Sequence, residues 1–140
     1  MHTVNFGSIG LGMGTAIGAG YGAPQRPVLH ITGDGGFMLS GIAEFVTAVR
    51  QGVDMTVVVF NDGAYGAEYV QFTDRGMDPA PATFDWPDLG PVAEAIGARG
   101  FTVRSLGELE LALAATPDGV GVTLIDVKLD PAQVPRIPGH

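Results

Sequence analysis

Apolar positions along this chain follow two alternating rhythms. Val28-Leu29-His30-Ile31-Thr32 is a short β-rich run, preceded by Pro27 and followed by glycines at 33, 35 and 36. It predicts a buried strand that the glycines break. From Ser40 to Gln51 the residues Ile42, Phe45, Val46 and Val49 fall at i, i+3, i+4 and i+7, with Glu44 and Arg50 off that face. This spacing predicts a helix with one apolar side, stopped at Gly52. Met55 to Phe60 is a continuous run of the kind found in parallel strands buried on both faces. Residues 28–60 therefore predict a βαβ unit with a right-handed crossover.

Downstream the rhythm continues. Residues 62–83 read as an irregular, functional loop with a short helix around Ala67 to Phe72. Asp88 to Gly97 predicts a helix, Phe101 to Arg104 a strand, and Glu108 to Ala115 a Leu/Ala helix ended by Thr116-Pro117-Asp118-Gly119. Val120 to Leu129 predicts a last buried strand, followed by an extended proline-rich tail from Pro131. Strands alternating with helices predict an α/β fold. The expected architecture is a doubly wound, mostly parallel sheet with helices on both faces, forming one domain over 1–140.

The first segment has its own pattern. Gly10, Gly14, Gly18 and Gly22 recur every four residues, with Ala16 and Ala19 between them. On a helix this lays a bare stripe along one side, at about 1 kcal/mol of helix propensity per glycine. It suits close packing against a neighbouring element, a ligand at the helix's N-terminal end, or both.

Composition narrows the function classes. Hydrophobic residues make up 46% of the 140 and charged residues 16%, which is a globular rather than disordered balance. The net charge of −8, from 7 basic and 15 acidic residues, argues against nucleic acid as a partner. With no cysteine, disulfides and thiolate-bound zinc are excluded, and His2, His30 and His140 have no metal-ligand spacing. The uncharged stretch Phe6 to Ala23 is too glycine-rich for a membrane span and no basic region precedes it. The expectation is a cytoplasmic protein.

The candidate chemistry lies in two triplets. Gly33-Asp34-Gly35 closes the first strand and Asn61-Asp62-Gly63 closes the second. Ligands of open parallel sheets bind beyond the carboxyl ends of the strands. Asp34 there repels a bare phosphate unless a cation lies between them, and magnesium takes a few protein oxygens plus phosphate oxygens. Asn61 offers an amide oxygen and Gly63 a carbonyl. Gly35 and Gly36 let backbone N–H groups approach an anion at a helix N-terminus. A dinucleotide fold is the rival, but Gly10-Leu11-Gly12-Met13-Gly14-Thr15 and Gly33-Asp34-Gly35-Gly36-Phe37-Met38 both miss the last glycine of G-x-G-x-x-G.

These motifs, in order, resemble the thiamine-diphosphate signature. G-D-G, 25 residues and N-D-G are joined by Asn5-Phe6-Gly7-Ser8-Ile9-Gly10, by Glu44-Phe45 and Thr47-Ala48, and by Ala64-Tyr65-Gly66. The chain is similar to the diphosphate-binding domain of the acetolactate synthase, pyruvate decarboxylase and benzoylformate decarboxylase family. The resemblance implies that Asp34 and Asn61 bind Mg2+ by side chain and Gly63 by its carbonyl. It implies diphosphate contacts from Gly35, Gly36 and the Tyr65-Gly66 backbone, with Ala64 also cofactor-binding. It implies that Gly7 accepts a hydrogen bond from the cofactor's 4′-amino group and that Ser8 is also cofactor-binding. Ile9 falls under the bent cofactor, and Glu68, Tyr69 and Phe72 fall on the substrate side. Phe60 stands where many relatives have a first asparagine, and Gly36 where many have serine.

The resemblance also implies what is missing. The glutamate that activates the cofactor belongs to a pyrimidine-binding domain absent from these 140 residues, so none of Glu44, Glu68, Glu94, Glu108 and Glu110 takes that role. Relatives have a strand and helix upstream of the glycine helix. The chain is expected to be a fragment or subunit of a larger enzyme, a homodimer or tetramer, that makes or breaks C–C bonds next to a carbonyl of a 2-oxo acid. Alone it is expected to be inactive. A non-catalytic metal–phosphate module and a dinucleotide-binding oxidoreductase domain remain the alternatives.

Overall fold

The computed structural model describes residues 8–116, 119 and 121–133. Its centre is a four-stranded, wholly parallel sheet in the order β1-β2-β4-β3. The strands are β1 (Val28–Gly33), β2 (Met55–Asn61), β3 (Arg99–Val103) and β4 (Val122–Lys128). The expected βαβ unit is present: β1 and β2 are neighbours in parallel register, with Val28 opposite Met55 and Gly33 opposite Phe60.

Helices pack on both faces, as the doubly wound reading required. On one face α1 (Gly12–Gly22), α3 (Ile42–Gln51) and α5 (Leu89–Ile96) bury Met13, Phe45, Ala48, Leu89 and Ala93 against Met55, Val57, Val59 and Leu124. On the other face α6 (Leu106–Ala114) packs Ala112 against Val103 and Ile125. The cover on this second face lies over β3 and β4 and leaves Leu29 and Ile31 of β1 62% and 56% exposed. The strand expected to be buried over 28–32 thus alternates between half-buried and exposed positions. Ile42, Phe45 and Val49 of α3 pack on the core as predicted, whereas Val46 is exposed and Ala48 takes the buried place. Gly52 ends the helix in a left-handed conformation. Helix α6 starts at a reciprocal cap: Ser105 Oγ accepts from the Glu108 N–H, and Glu108 Oε2 accepts from the Arg104 N–H.

The structure corrects four boundaries. The glycines end β1 as expected, but the helix expected from Ser40 starts earlier, at Asp34. The chain turns directly from β1 into a helical turn, α2 (Asp34–Gly36), then a π-helical segment Phe37–Gly41, then α3. Glycine's low helix propensity is overridden because Phe37 is buried against Phe45 and anchors the turn. In the predicted loop, α4 spans Gly66–Asp74 rather than 67–72. Strand β3 starts at Arg99, two residues early. The tail opens with a 3-10 turn, Pro131–Gln133, rather than extended chain.

Among the described residues no helix is long and apolar enough to cross a membrane.

Candidate metal and phosphate site

The parallel register sets the site. With Gly33 opposite Phe60, Asp34 just past the end of β1 comes beside Asn61, the last residue of β2. Asp34 is the first residue of the helix that follows β1, and only 2% of its surface is exposed. Its Oδ2 is buried with no hydrogen-bond partner. Burial raises the Asp34 pKa to about 6, the charge of Asp62 adds to the rise, and the Gly35 N–H opposes it. A buried carboxylate facing another carboxylate is costly unless a proton or a cation lies there.

Asn61 is also buried. Its Nδ2 donates to Asp126 Oδ1 at 2.8 Å, and its Oδ1 accepts from the Gly63 N–H at 3.2 Å. Asp62 Oδ1 accepts from the Ala64 N–H at 3.1 Å, closing a tight turn. Gly63 makes that turn at φ +67°, a conformation that glycine adopts without strain. The Gly63 carbonyl accepts from the Phe84 N–H at 2.7 Å, which leaves one lone pair for another partner. Tyr65 N–H donates to the Ala82 carbonyl, and the Tyr65 ring meets Phe84 edge-on while Phe84 stacks on Trp86. The 80–86 segment thus holds the 62–66 turn in place.

An open cleft of about 960 Å³ lies over these residues. Ser8, Ile9, Asp34, Gly35, Gly36, Ala64, Tyr65, Gly66 and Glu68 all line it. Asn61 and Gly63 sit behind the wall rather than on it, and Tyr69 and Phe72, half-buried on α4, do not line it. Gly7 lies outside the described residues. Two helix starts, at Asp34 and Gly66, converge on the cleft, so unpaired first-turn N–H groups of both face it. Positive N-termini beside an unsatisfied carboxylate suit a phosphate ligand carried by a hard cation.

Several participants escape a reading by motif. Asp62 was inside the second triplet but unassigned, and its charge bears on Asp34. Asp126, wholly buried, ties down Asn61. Its signal was a charged residue inside the β-rich Val122 to Val127 run. Leu129, Asp130 and Gln133 complete the cleft and carried no signal.

The comparison with known proteins bears on this geometry. A family profile described as "Thiamine pyrophosphate enzyme, C-terminal TPP binding domain" matches residues 1–127. The chain belongs to this family of thiamine-pyrophosphate-binding domains. A putative acetolactate synthase large subunit, IlvB2 of Mycobacterium tuberculosis, is 36% identical over 130 residues, covering 92% of this chain and 23% of the relative. A probable 2-ketoarginine decarboxylase, AruI of Pseudomonas aeruginosa, is 33% identical over 129 residues, covering 91% of this chain and 23% of the relative. Among solved structures, the thiamine diphosphate-dependent 4-hydroxybenzoylformate decarboxylase of Rhodococcus jostii RHA1 superposes with a TM-score of 0.76 at 27% identity, covering 87% of this chain and 23% of that one. The chain thus spans less than a quarter of the length of these relatives. As a TPP-binding domain it has the expected α/β fold, with the cleft beyond the carboxyl ends of β1 and β2.

Proposed function

We propose that this chain anchors thiamine diphosphate through Mg2+ in an enzyme that makes or breaks a C–C bond next to the carbonyl of a 2-oxo acid. The observation that carries the reading is the buried, unpartnered Oδ2 of Asp34, set against Asp62 at the mouth of a cleft between two helix starts. That donor set fits a hard divalent cation: a carboxylate from Asp34, the amide oxygen of Asn61 and the free lone pair of the Gly63 carbonyl. The first-turn N–H groups at Gly35–Gly36 and at Gly66 would bind the diphosphate, with Ala64 and Tyr65 shaping the wall between them. Ile9, half exposed beside Gly36, would support the body of the cofactor, and Ser8 would lie at its pyrimidine end. Glu68 would stand on the substrate side.

When bound, thiamine diphosphate supplies an electron sink for carbanion chemistry next to a carbonyl. This chain's own residues bind, orient and neutralise charge. The group that activates the cofactor would come from a pyrimidine-binding domain, in the same protein or in a partner subunit, within a dimer or tetramer.

Calorimetric titration with thiamine diphosphate, with and without Mg2+ and with the pyrimidine-binding domain present, tests the reading. Binding that needs Mg2+ supports it. Absence of Mg2+-dependent binding under those conditions overturns it, and metal-free NAD binding would point to an oxidoreductase domain. Tight cofactor binding without turnover would make the chain a non-catalytic module.

A further inference from the structure

Asp126 has a place in the fold that the site alone does not explain. It stands in β4 opposite Val59 of β2, and so lies on the same sheet face as Asn61, two residues on. It is wholly buried. Its two oxygens face different neighbours. Oδ1 accepts from Asn61 Nδ2 at 2.8 Å. Oδ2 accepts from the Leu89 N–H at 2.9 Å, at the start of α5, and from Thr102 Oγ1 at 3.4 Å, with Lys128 Nζ at 3.5 Å.

This geometry bears on a question that the amide of Asn61 leaves open by itself. An asparagine side chain has one end that donates and one that accepts, and only its partners decide which way it points. A carboxylate accepts and does not donate, so Asp126 takes the NH2 end. The amide oxygen is then turned the other way, toward Gly63 and the side on which Asp34 lies. A flipped amide would set two N–H donors where a cation needs an oxygen.

We propose that Asp126 is a positioning residue for the cation site, holding the Asn61 amide with its oxygen toward the metal. The proposal rests on the Mg2+ reading above. It assigns to a buried residue on a different strand the orientation of one of the two side-chain ligands. Outer partners of this kind typically change metal affinity by about 10- to 100-fold when altered.

The test exchanges the two residues. In D126N the new amide has a single acceptor. If that acceptor serves the Leu89 N–H, its NH2 faces Asn61 and turns the Asn61 amide over. In the double variant N61D/D126N, the carboxylate at 61 accepts from the new amide with one oxygen and offers the other to the cation. In N61D alone, two carboxylates face each other. T102V is the control for stability: it removes a partner of Oδ2 and of the Gly90 N–H while leaving the Asp126–Asn61 bond intact.

Mg2+ affinity is measured by calorimetry in the presence of thiamine diphosphate, in the protein that carries this domain with its pyrimidine-binding domain. Thermal unfolding of each metal-free variant is measured alongside. The expected result is an affinity at least about tenfold weaker in D126N, recovered to within a few-fold in N61D/D126N, and higher in that double variant than in either single one. T102V is expected to unfold earlier yet bind Mg2+ as the wild type does. The proposal is overturned if D126N keeps wild-type affinity, if the double variant binds no better than N61D, or if T102V loses affinity as D126N does. Absence of Mg2+-dependent binding in the wild type would instead sink the function proposed above.

Discussion

The ring of Tyr65 lies directly over Gly35. A Cβ on residue 35 would stand 2.5 Å from Tyr65 Cδ1 and 2.6 Å from Cε1. Glycine at 35 is therefore required by the loop that follows the second triplet. The Tyr65 ring has little room to withdraw, because Phe84 packs edge-on against it with ring centres 4.7 Å apart. We expect G35A to destabilise the chain by about 1–3 kcal/mol, the usual cost of overpacking. We also expect it to weaken cofactor binding at least tenfold. Chemical denaturation and cofactor titration of the same variant check both.

Asp34 sets a stability–function conflict. Its folded pKa, raised to about 6, lies above its ordinary value of 3.8. The folded state therefore holds the proton more tightly than the unfolded state. In the metal-free protein Asp34 lowers stability as pH rises from near 4 through 6, and the penalty is complete above that window. Replacing it by asparagine removes the buried charge. D34N is expected to raise the melting temperature of the metal-free protein at pH 7.5 and to abolish Mg2+-dependent cofactor binding. A lower melting temperature for D34N would contradict the electrostatic account.

The same proton competes with the cation. Mg2+ affinity is expected to be flat above pH 7 and to fall about tenfold per unit well below pH 6, as the Asp34 carboxyl takes up its proton. D62N removes the charge that contributes to the rise, so its affinity profile should shift toward lower pH. Calorimetry across pH 5 to 8 reads both curves.

The cap of α6 offers a control remote from the cleft. Ser105 Oγ accepts from the Glu108 N–H at 3.2 Å on the far side of the sheet. S105A should cost about 1 kcal/mol of stability and leave cofactor affinity unchanged. A change in affinity would show that the site responds to global stability, which would weaken the reading of the other variants.

Much of this was legible in the sequence because it depends on local chemistry. The Ile42-Phe45-Val49 stripe gave α3, the β-branched run gave β2, and the two triplets gave strand ends that the register then brought together. The start of the first of these helices was not legible. Gly35 and Gly36 read as breakers, and only the burial of Phe37 against Phe45 shows why the chain turns helical at once. The Asp126–Asn61 bond was equally hidden, since 65 residues separate the partners and only the order β2-β4 makes them neighbours. The family resemblance located Tyr69 and Phe72 after the loop, but the pitch of α4 turns Glu68 rather than these two to the cleft wall.

A single cation joining Asp34 and Asn61 to a diphosphate would sit in direct contact with cofactor phosphate. Substituting Mn2+ for Mg2+ and recording electron–nuclear double resonance tests this most directly. A strong 31P coupling from cofactor phosphate bound to the metal is expected in the wild type and is expected to be lost in D34N. Mn2+ bound without 31P coupling, or a coupling that D34N leaves intact, would contradict it.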